Sequence, residues 1–310
     1  MLQKTIHKSV ACSGIGLHSG KKVRLVLRPA SEDSGILFAL QNGTGRRFLK
    51  PHPEAVVATG LATTLGQGSD SISTVEHLMA AVRGMGIDNI LVDVEGAELP
   101  IMDGSAASFV YLLRMAGVRT LSAPRKVMRV TKPVEYKRDG KVIRAEPHGG
   151  FMVDYTIDFP HPLIGRQHMA LEITPDSFAS MLAKARTFGF LREVEYLRKN
   201  GLALGGSLDN AVVLDDYGVV NTEGLRFPNE FVRHKILDFV GDMAVLGAPL
   251  WGRFTVFASG HALNNAFLRH LWAGAEEYLE DISLGQQPVG TKDVEETEAV
   301  VSASTEPILA

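Results

Sequence analysis

The sequence predicts an α+β protein of two similar halves, each a β-sheet with helices on one face. Short apolar or alternating runs bounded by turn residues predict strands, and helical periodicity follows them twice in the same order. The segments DNILVDV and DNAVVLD each precede a helix, and the offset from Asp88 to Phe109 is nearly that from Asp209 to Phe231. These two matches predict a duplicated strand-and-helix unit. In each half, helices on one face of the sheet would bury the apolar sides of both helices and sheet.

Composition limits the classes of function. The 310 residues suffice for two domains, and 45% hydrophobic with 22% charged residues is typical of a soluble globular protein. A net charge of −3 gives no reason to expect nucleic acid as a partner. The single cysteine, Cys12, excludes an internal disulfide and a cysteine-rich metal site. The N-terminus lacks an apolar signal core and no apolar run approaches the roughly 20 residues that span a bilayer, which predicts a cytoplasmic protein rather than an integral membrane protein.

The first predicted domain covers residues 1–121. Strands are predicted in KVRLVLRP, GILFAL and EAVVAT. The segment SISTVEHLMAAVRGMG then predicts a helix with Ser73 as N-cap and Gly84 as its end. A buried strand follows in DNILVDVEG, and a second helix follows in DGSAASFVYLLRMAG, with Asp103 or Ser105 near its cap.

The second predicted domain covers residues 126–286, after an expected linker, TLSAPRK, at 120–126. A hairpin is predicted around Asp139-Gly140, and FMVDYTIDF, DNAVVLDD and GRFTVFASG predict further strands. Helices are predicted in TPDSFASMLAKAR, GFLREVEYLRKNG, FVRHKILDFVGDMA and HALNNAFLRHLWAGAEEYL. Residues 287–310 lose this periodicity and gain acidic residues, which predicts a mobile acidic tail.

A polar stripe lies on the otherwise apolar helix FVRHKILDFVGDMA. His234, Lys235, Asp238 and Asp242 share one narrow sector of it, and burying such groups unpaired is expensive. His234 and Asp238 are four residues apart and so lie on the same face. Because zinc binds imidazole nitrogen and carboxylate oxygen, this pair is typical of two ligands of one metal ion, although exposed His-Asp pairs are also common on helices.

The segment STVEHL offers a third ligand. In one reading Glu76 completes a capping box with Ser73, and His77 is an ordinary histidine. In the other, His77 binds the metal and Glu76 is the base beside a bound water, since neighbours on a helix point about 100° apart. Local spacing leaves both readings open.

Two further histidines stand in motifs. His261 in SGHALNN comes where a strand ends and a helix starts, and is either a group without a task or an acid-base group oriented by Asp242. His18 lies in the glycine-rich segment ACSGIGLHSGKK, which is a weak phosphate-loop signal because no clear strand-to-helix context surrounds it.

Five motifs, in order, resemble one family. They are STVEHL, ARTFGF, LGGSLDNAVV, GLRFPNEFVRHKILDFVGD and SGHALNN, and together they are similar to the bacterial UDP-3-O-acyl-N-acetylglucosamine deacetylases, zinc amidases of lipid A synthesis. The resemblance runs from about Gln3 to about Leu279. It implies two similar α+β domains with the helices sandwiched between the sheets. It also implies one catalytic Zn²⁺ per chain, with Fe²⁺ as an alternative, and a monomer acting on a small-molecule UDP-sugar.

The resemblance implies catalytic roles for matching residues. The metal ligands would be His77, His234 and Asp238. Glu76 matches the general base, and Thr187 matches the hydroxyl that contacts the oxyanion. The remaining two matches form a pair, the cationic group His261 and its supporting carboxylate Asp242.

The resemblance also implies substrate contacts. Those to the acyl chain would be Phe188, Val194, Ala203 and Ala211. Those to the phosphate and uridine diphosphate end would be Lys235, Lys141, Asp158 and Phe159, and His18 lies in the family segment GIGLHSG. One departure stands at Ala258, where many members carry lysine, so one pyrophosphate contact would be missing or supplied elsewhere.

Two other functions compete with this one. A binding module with a purely structural zinc site would have a closed fourth position and no need of Glu76 or His261. A zinc hydrolase of different specificity would act on a shorter-chain or non-nucleotide amide.

Overall fold

The computed structural model is a mixed α+β structure and describes residues 1–42, 45–67 and 70–284. The predicted tail, 287–310, and the last two residues of the predicted second domain lie outside the described residues. Among the described residues, no helix is long and apolar enough to cross a membrane.

The strands are short, apart from one of 13 residues. In chain order they are β1 Leu2–Ile6, β2 Val10–Ile15, β3 Lys22–Pro29, β4 Ile36–Asn42, β5 Gly45–Leu49, β6 Val56–Ala58, β7 Thr64–Gln67, β8 Asp70–Ile72, β9 Ile90–Glu95, β10 Val118–Val130, β11 Val134–Arg138, β12 Lys141–Glu146, β13 Phe151–Phe159, β14 Gly165–Glu172, β15 Phe188–Phe190, β16 Val212–Leu214, β17 Leu250–Phe257 and β18 Leu279–Leu284.

The helices are α1 Glu76–Gly84, α2 Ala107–Ala116, α3 Pro175–Ser177, α4 Leu191–Lys199, α5 Glu230–Met243, α6 His261–Ala273 and α7 Ala275–Tyr278. A π-helical turn at Phe178–Leu182 and 3₁₀ turns at Pro53–Ala55 and Ala244–Leu246 complete them. The prediction of Ser73 as the N-cap of α1 is wrong, because the cap position is Val75, without a side-chain bond. Ser73 instead bridges to Glu98 in extended pairing, which holds it outside the helix. The predicted end at Gly84 is confirmed.

Two large sheets form the outer layers. A five-stranded sheet has the order β2-β3-β9-β4-β5, in which β4 and β9 are parallel and the other pairs are antiparallel. An eight-stranded sheet follows the path β1-β10-β17-β12-β11, with β13, β14 and β18 paired beside it. The predicted hairpin is confirmed, because Asp139 and Gly140 both have positive φ between the paired strands β11 and β12.

The prediction of a linker at 120–126 is wrong. These residues lie inside β10, whose first part pairs with β1 and whose second part pairs with β18 and β17. Pro and Ser suggested a loop locally, but backbone hydrogen bonds from strands distant in sequence hold the segment extended. The division into domains at 121 and 126 stays a prediction.

Helices α1, α2, α5 and α6 lie between the sheets. Helix α2 contacts β2 of the five-stranded sheet, whereas α5 contacts β13 and β14 and α6 contacts β11 and β12 of the larger one. Helices α1 and α5 pack directly on each other, and α1 also contacts α2. One apolar core therefore runs through all the layers.

Helix α5 approaches α1 so closely that only glycine fits at the contact. A Cβ placed on Gly241 would lie 2.0 Å from the backbone oxygen of Glu76. Since that oxygen belongs to a buried helix, it cannot move aside alone. The close approach brings the polar stripe of α5 onto the first turn of α1.

We predict that Gly241→Ala lowers the free energy of unfolding by about 1–3 kcal/mol, because the added methyl group forces the two helices apart. Without the clash, alanine would stabilise a helix by up to about 1 kcal/mol over glycine. Denaturant unfolding measures the change. The matched control is Gly149→Ala, whose Cβ would meet nothing within 4 Å. Equal stability of the two variants would contradict the prediction.

Candidate functional site

The stripe of α5 and the first turn of α1 face a cavity of about 470 Å³. Both halves of the chain line it. The ionisable residues on its wall include Glu76, His77, His234, Lys235, Asp238 and His261. The helix contact at Gly241 thus places the candidate ligands from two distant segments in one wall.

His77, His234 and Asp238 form the one buried group, within the described residues, whose ligand atoms could together hold a metal ion. These atoms lie within 4.8 Å of one another. Asp238 Oδ1 is 3.2 Å from His234 Nε2 and 3.6 Å from His77 Nε2. Ligands at about 2.0–2.1 Å around a tetrahedral zinc stand roughly 3.3 Å apart, so the donor set fits such an ion.

Neighbouring groups orient two of these three ligands. Nδ1 of His234 faces the carbonyl oxygen of Ala185 at 3.2 Å, which turns Nε2 toward Asp238. Lys235 Nζ donates to the other oxygen of Asp238, Oδ2, at 2.6 Å. The Oδ1 atom and the Nε2 atom therefore remain free for a shared partner.

Electrostatics keeps His234 and Asp238 in the protonation states that metal ligands need. Burial lowers the pKa of His234 to about 3, although Asp238 opposes the shift, so the imidazole is neutral at pH 7. Burial would raise the pKa of Asp238, but His234 and Lys235 outweigh it and hold the pKa well below its usual range. Nδ1 of His77 is buried without a hydrogen-bond partner among the described residues.

Glu76 lies at the start of α1 with its carboxylate on the cavity wall. Its Oε2 accepts a hydrogen bond from the backbone N–H of Thr63 at 3.1 Å, and its Oε1 is 3.7 Å from His261 Nε2. The capping-box reading is wrong, because Glu76 is the first helical residue and bonds elsewhere. Burial raises the pKa of Glu76, although His261 opposes the shift.

His261 is the first residue of α6 and pairs with Asp242. Its Nδ1 is 2.8 Å from Asp242 Oδ2. Burial would lower the pKa of His261, but Asp242 and then Glu76 outweigh burial and raise it to about 9. The imidazolium is therefore the dominant form at neutral pH, which suits a donor of a hydrogen bond or a proton.

The sequence reasoning missed Thr63 and Asn264. The hydroxyl of Thr63 donates to Asp242 Oδ1 at 2.6 Å, and its N–H holds Glu76, so one residue fixes both carboxylates. Asn264 Nδ2 donates to Asp242 Oδ2 at 2.7 Å. Asn264 is three residues after His261 on α6, and this spacing was the available signal; no local pattern points to Thr63.

The motif ARTFGF supplies structure as well as a wall of the cavity. Arg186 is buried and its Nε donates to the fully buried Glu230 at 2.9 Å. This pair anchors the segment before Thr187, whose N–H donates to Gly104 O at 2.7 Å. Thr187 lines the cavity.

The structure brings some of the predicted substrate contacts to the cavity and leaves others outside its wall. Those on the wall are His18, Lys141, Phe159, Phe188 and Lys235. Those that do not line it are Asp158, Val194, Ala203 and Ala211. Ala258 is also on the wall, with φ of 51°, and Arg138 supplies a cation there besides Lys141.

His18 lies in a tight loop on the wall of the same cavity. Its backbone N–H donates to Glu98 Oε1 at 2.9 Å, and Glu98 also accepts from Ser19 N and Thr74 Oγ1. Both ring nitrogens of His18 are buried and lack a partner among the described residues. Burial lowers the pKa of His18, although Glu98 opposes it.

The chain is similar over most of its length to known proteins of one family. A model of the UDP-3-O-acyl N-acetylglycosamine deacetylase family matches residues 3–273. The UDP-3-O-acyl-N-acetylglucosamine deacetylase of Nitratidesulfovibrio vulgaris is 64% identical over 284 residues, which cover 92% of this chain and 92% of that protein. The protein of the same name from Oleidesulfovibrio alaskensis is 63% identical over 286 residues, covering 92% and 94%. That of Lawsonia intracellularis is 55% identical over 271 residues, covering 87% and 89%.

We predict that His261 titrates near pH 9 in chelator-treated protein and that Asp242→Asn lowers this pKa, because burial is then opposed only by Glu76 and Asp238. Because the pKa of His261 in the folded protein exceeds the usual 6.5, the charged imidazole stabilises the folded state. This stabilisation is complete below pH 6.5 and is lost as the pH rises through about 9. NMR titration of the ring measures the pKa. The matched control is Asp154→Asn, which removes the carboxylate 2.7 Å from the remote His168. An unchanged His261 pKa in Asp242→Asn would contradict the prediction.

Proposed function

The chain belongs to the UDP-3-O-acyl-N-acetylglucosamine deacetylase family, and we propose that it removes the 2-acetyl group of UDP-3-O-acyl-N-acetylglucosamine by zinc-dependent hydrolysis. The products are acetate and a free amine, in an early committed step of lipid A biosynthesis. The observation that carries the proposal is the buried His-His-Asp group with Glu76 and His261 beside it in one cavity. A cytoplasmic location and a monomeric state stay predictions from the sequence.

We assign His77, His234 and Asp238 as the ligands of one divalent ion. The spacing of their donor atoms, the neutral imidazole of His234 and the Lys235 bond to Asp238 support this assignment. When bound, zinc or Fe²⁺ would supply Lewis acidity toward the amide carbonyl and a water molecule. Three protein ligands would suit a catalytic rather than a structural zinc ion.

We assign Glu76 as the base that takes the proton of the attacking water. A carboxylate is a better base when its pKa is raised, and burial raises that of Glu76. The bond from Thr63 N–H fixes Oε2, so Oε1 is the oxygen that faces the cavity and His261. This arrangement keeps the base in one rotamer while the substrate enters.

In the proposed mechanism, His261 and Thr187 complete the chemistry at the amide. The imidazolium of His261, held charged by Asp242, stabilises the oxygen that gains negative charge. It then protonates the departing nitrogen, because an amide ion cannot leave at neutral pH. The hydroxyl of Thr187 donates a hydrogen bond to the carbonyl oxygen that gains negative charge.

The rest of the cavity would hold the remainder of the substrate. Cationic groups at Lys141 and Lys235 suit the diphosphate, and Phe159, with Asp158 beside it, would meet the uridine. His18 offers unpartnered ring nitrogens to the sugar. The acyl chain would start at Phe188 and continue past Val194, Ala203 and Ala211.

Two observations bear on the competing functions. A purely structural zinc site does not explain why a carboxylate and an imidazolium, Glu76 and His261, are buried beside the ligands. A hydrolase for a non-nucleotide amide does not explain the cations of Arg138 and Lys141 on the cavity wall. Assay of acetate release from UDP-3-O-acyl-N-acetylglucosamine, with and without chelator, decides among the three functions, since only the proposed one predicts chelator-sensitive release.

We predict that His234→Ala purifies with most of its divalent metal lost, because the ion keeps only two protein ligands. Elemental analysis after dialysis measures the bound metal. His168→Ala is the control, since it removes an exposed histidine on β14. Wild-type metal content in His234→Ala would refute the ligand assignment.

We predict that Glu76→Gln lowers kcat by about a hundredfold or more, with metal content and melting temperature nearly unchanged. Glutamine keeps the volume and still accepts from Thr63 N–H but is a poor base. The control is Glu95→Gln, an exposed glutamate paired with Arg24. A folded, metal-loaded variant with nearly normal turnover would overturn the role of Glu76.

We predict that Ala211→Phe raises KM more for long-chain than for short-chain substrates, because the acyl passage is narrowed beyond Phe188. Steady-state kinetics with two acyl lengths provides an internal control. Equal losses for both lengths would reject the path of the chain.

A further inference from the structure

A second cavity, of about 340 Å³, lies at the opposite ends of the two helices that form the candidate active site. The end of α1 at Arg83 and Gly84 and the end of α5 at Val240 and Met243 line it. Residues at the start of β13 and after the end of β14 form another wall. It shares no lining residue with the first cavity.

Three cationic side chains line this second cavity: Lys4, Arg83 and Arg125. Nη2 of Arg83 donates to the carbonyl oxygen of Gly247 at 2.8 Å. Its Nε and Nη1 are buried and have no hydrogen-bond partner among the described residues. A buried guanidinium with two unpartnered nitrogens is costly unless an anion lies close to it.

The acidic groups nearby do not balance these cations. Asp88 accepts from Arg125 Nε at 2.8 Å and from the backbone of Lys4. Glu172, on the cavity wall, is 2.9 Å from His148 Nε2. Three cations against two carboxylates leave one positive charge. Burial lowers the pKa of Arg83 to about 10, with Asp88 opposing and Arg125 adding to the shift.

The remaining wall is largely apolar. Its side chains include Phe151, Ile173, Val240, Met243, Leu250 and Trp251. A mostly apolar pocket of this size with a few convergent charged groups is typical of small-molecule sites. A hydrated inorganic anion would leave this apolar wall without a partner. An anion with an apolar tail would contact both the cationic side chains and the apolar wall.

We propose that this second cavity binds a carboxylate-headed amphiphile, such as a medium-chain fatty acid. The carboxylate lies against the guanidinium of Arg83, with Arg125 and Lys4 beside it. The tail lies along the wall that carries Phe151 and Trp251. The site does not depend on the proposed deacetylase reaction, since neither the metal ligands nor Glu76 line it.

Trp251 gives a direct probe. The chain has two tryptophans, so a Trp272→Phe background leaves Trp251 as the sole indole, and it lines the second cavity but not the first. Titration with octanoate is expected to change its fluorescence saturably. Octan-1-ol and acetate, which carry only the tail or only the head, are expected to bind about tenfold or more weakly.

Removal of the guanidinium separates recognition from non-specific binding. In the same background, Arg83→Met is expected to weaken octanoate binding about tenfold or more, since a hydrogen bond to a charged group is lost. The matched control is Arg114→Met, which removes the arginine in the last turn of α2 and is expected to bind normally. Circular dichroism checks folding. If Arg83→Met does not fold, Lys4→Met, at an exposed position, is expected to weaken binding in its place.

Four outcomes would overturn the proposal. They are the absence of a saturable signal from Trp251, equal affinity for octan-1-ol and octanoate, equal affinity for acetate and octanoate, and unchanged affinity in the folded Arg83→Met variant. None of these results bears on acetate release from the UDP-sugar, so failure of this site and failure of the proposed function are distinguishable.

Discussion

The close contact of α1 and α5 at Gly241 is the constraint on which the candidate site depends. The candidate ligands come from segments more than 150 residues apart, His77 on α1 and His234 with Asp238 on α5. Their donor atoms can share one ion only if the helix axes approach closely, and any side chain at Gly241 would meet the backbone of Glu76. Helix α5 packs on β13 and β14, and α1 packs on both α5 and α2, which holds the two helices in this position.

The same closeness creates an electrostatic cost that specific neighbours offset. Asp238 and Asp242 are both buried on α5, one turn apart. Lys235 compensates the first, and His261, Thr63 and Asn264 together surround the second. These bonds also fix the side chains, so the groups that neutralise the stripe are the groups that orient it. The buried ionisable residues of α5 are thus both neutralised and held in fixed orientations, as a functional site requires.

Local patterns in the sequence predicted much of the fold and part of the candidate site. Periodicity placed α5 and α6, and the Asp139-Gly140 turn was evident because both residues tolerate positive φ. The pair His234 and Asp238 follows from helical spacing alone. What failed were predictions that depend on distant pairing. The segment 120–126 reads as a loop until β1 and β18 are beside it, and Ser73 looks like a cap until its bridge to Glu98 is seen.

Thr63 shows why part of such a site is invisible to sequence reasoning. It lies in an irregular segment between β6 and β7, without periodicity or motif. Its importance arises because one backbone N–H and one hydroxyl, a few ångströms apart, meet carboxylates from two different helices. A bond of this kind is set by the packing of α1 on α5, so it can be read only after that packing is known. Thr63 thereby couples the proposed base to the partner of His261, and displacement of one helix would disturb both groups together.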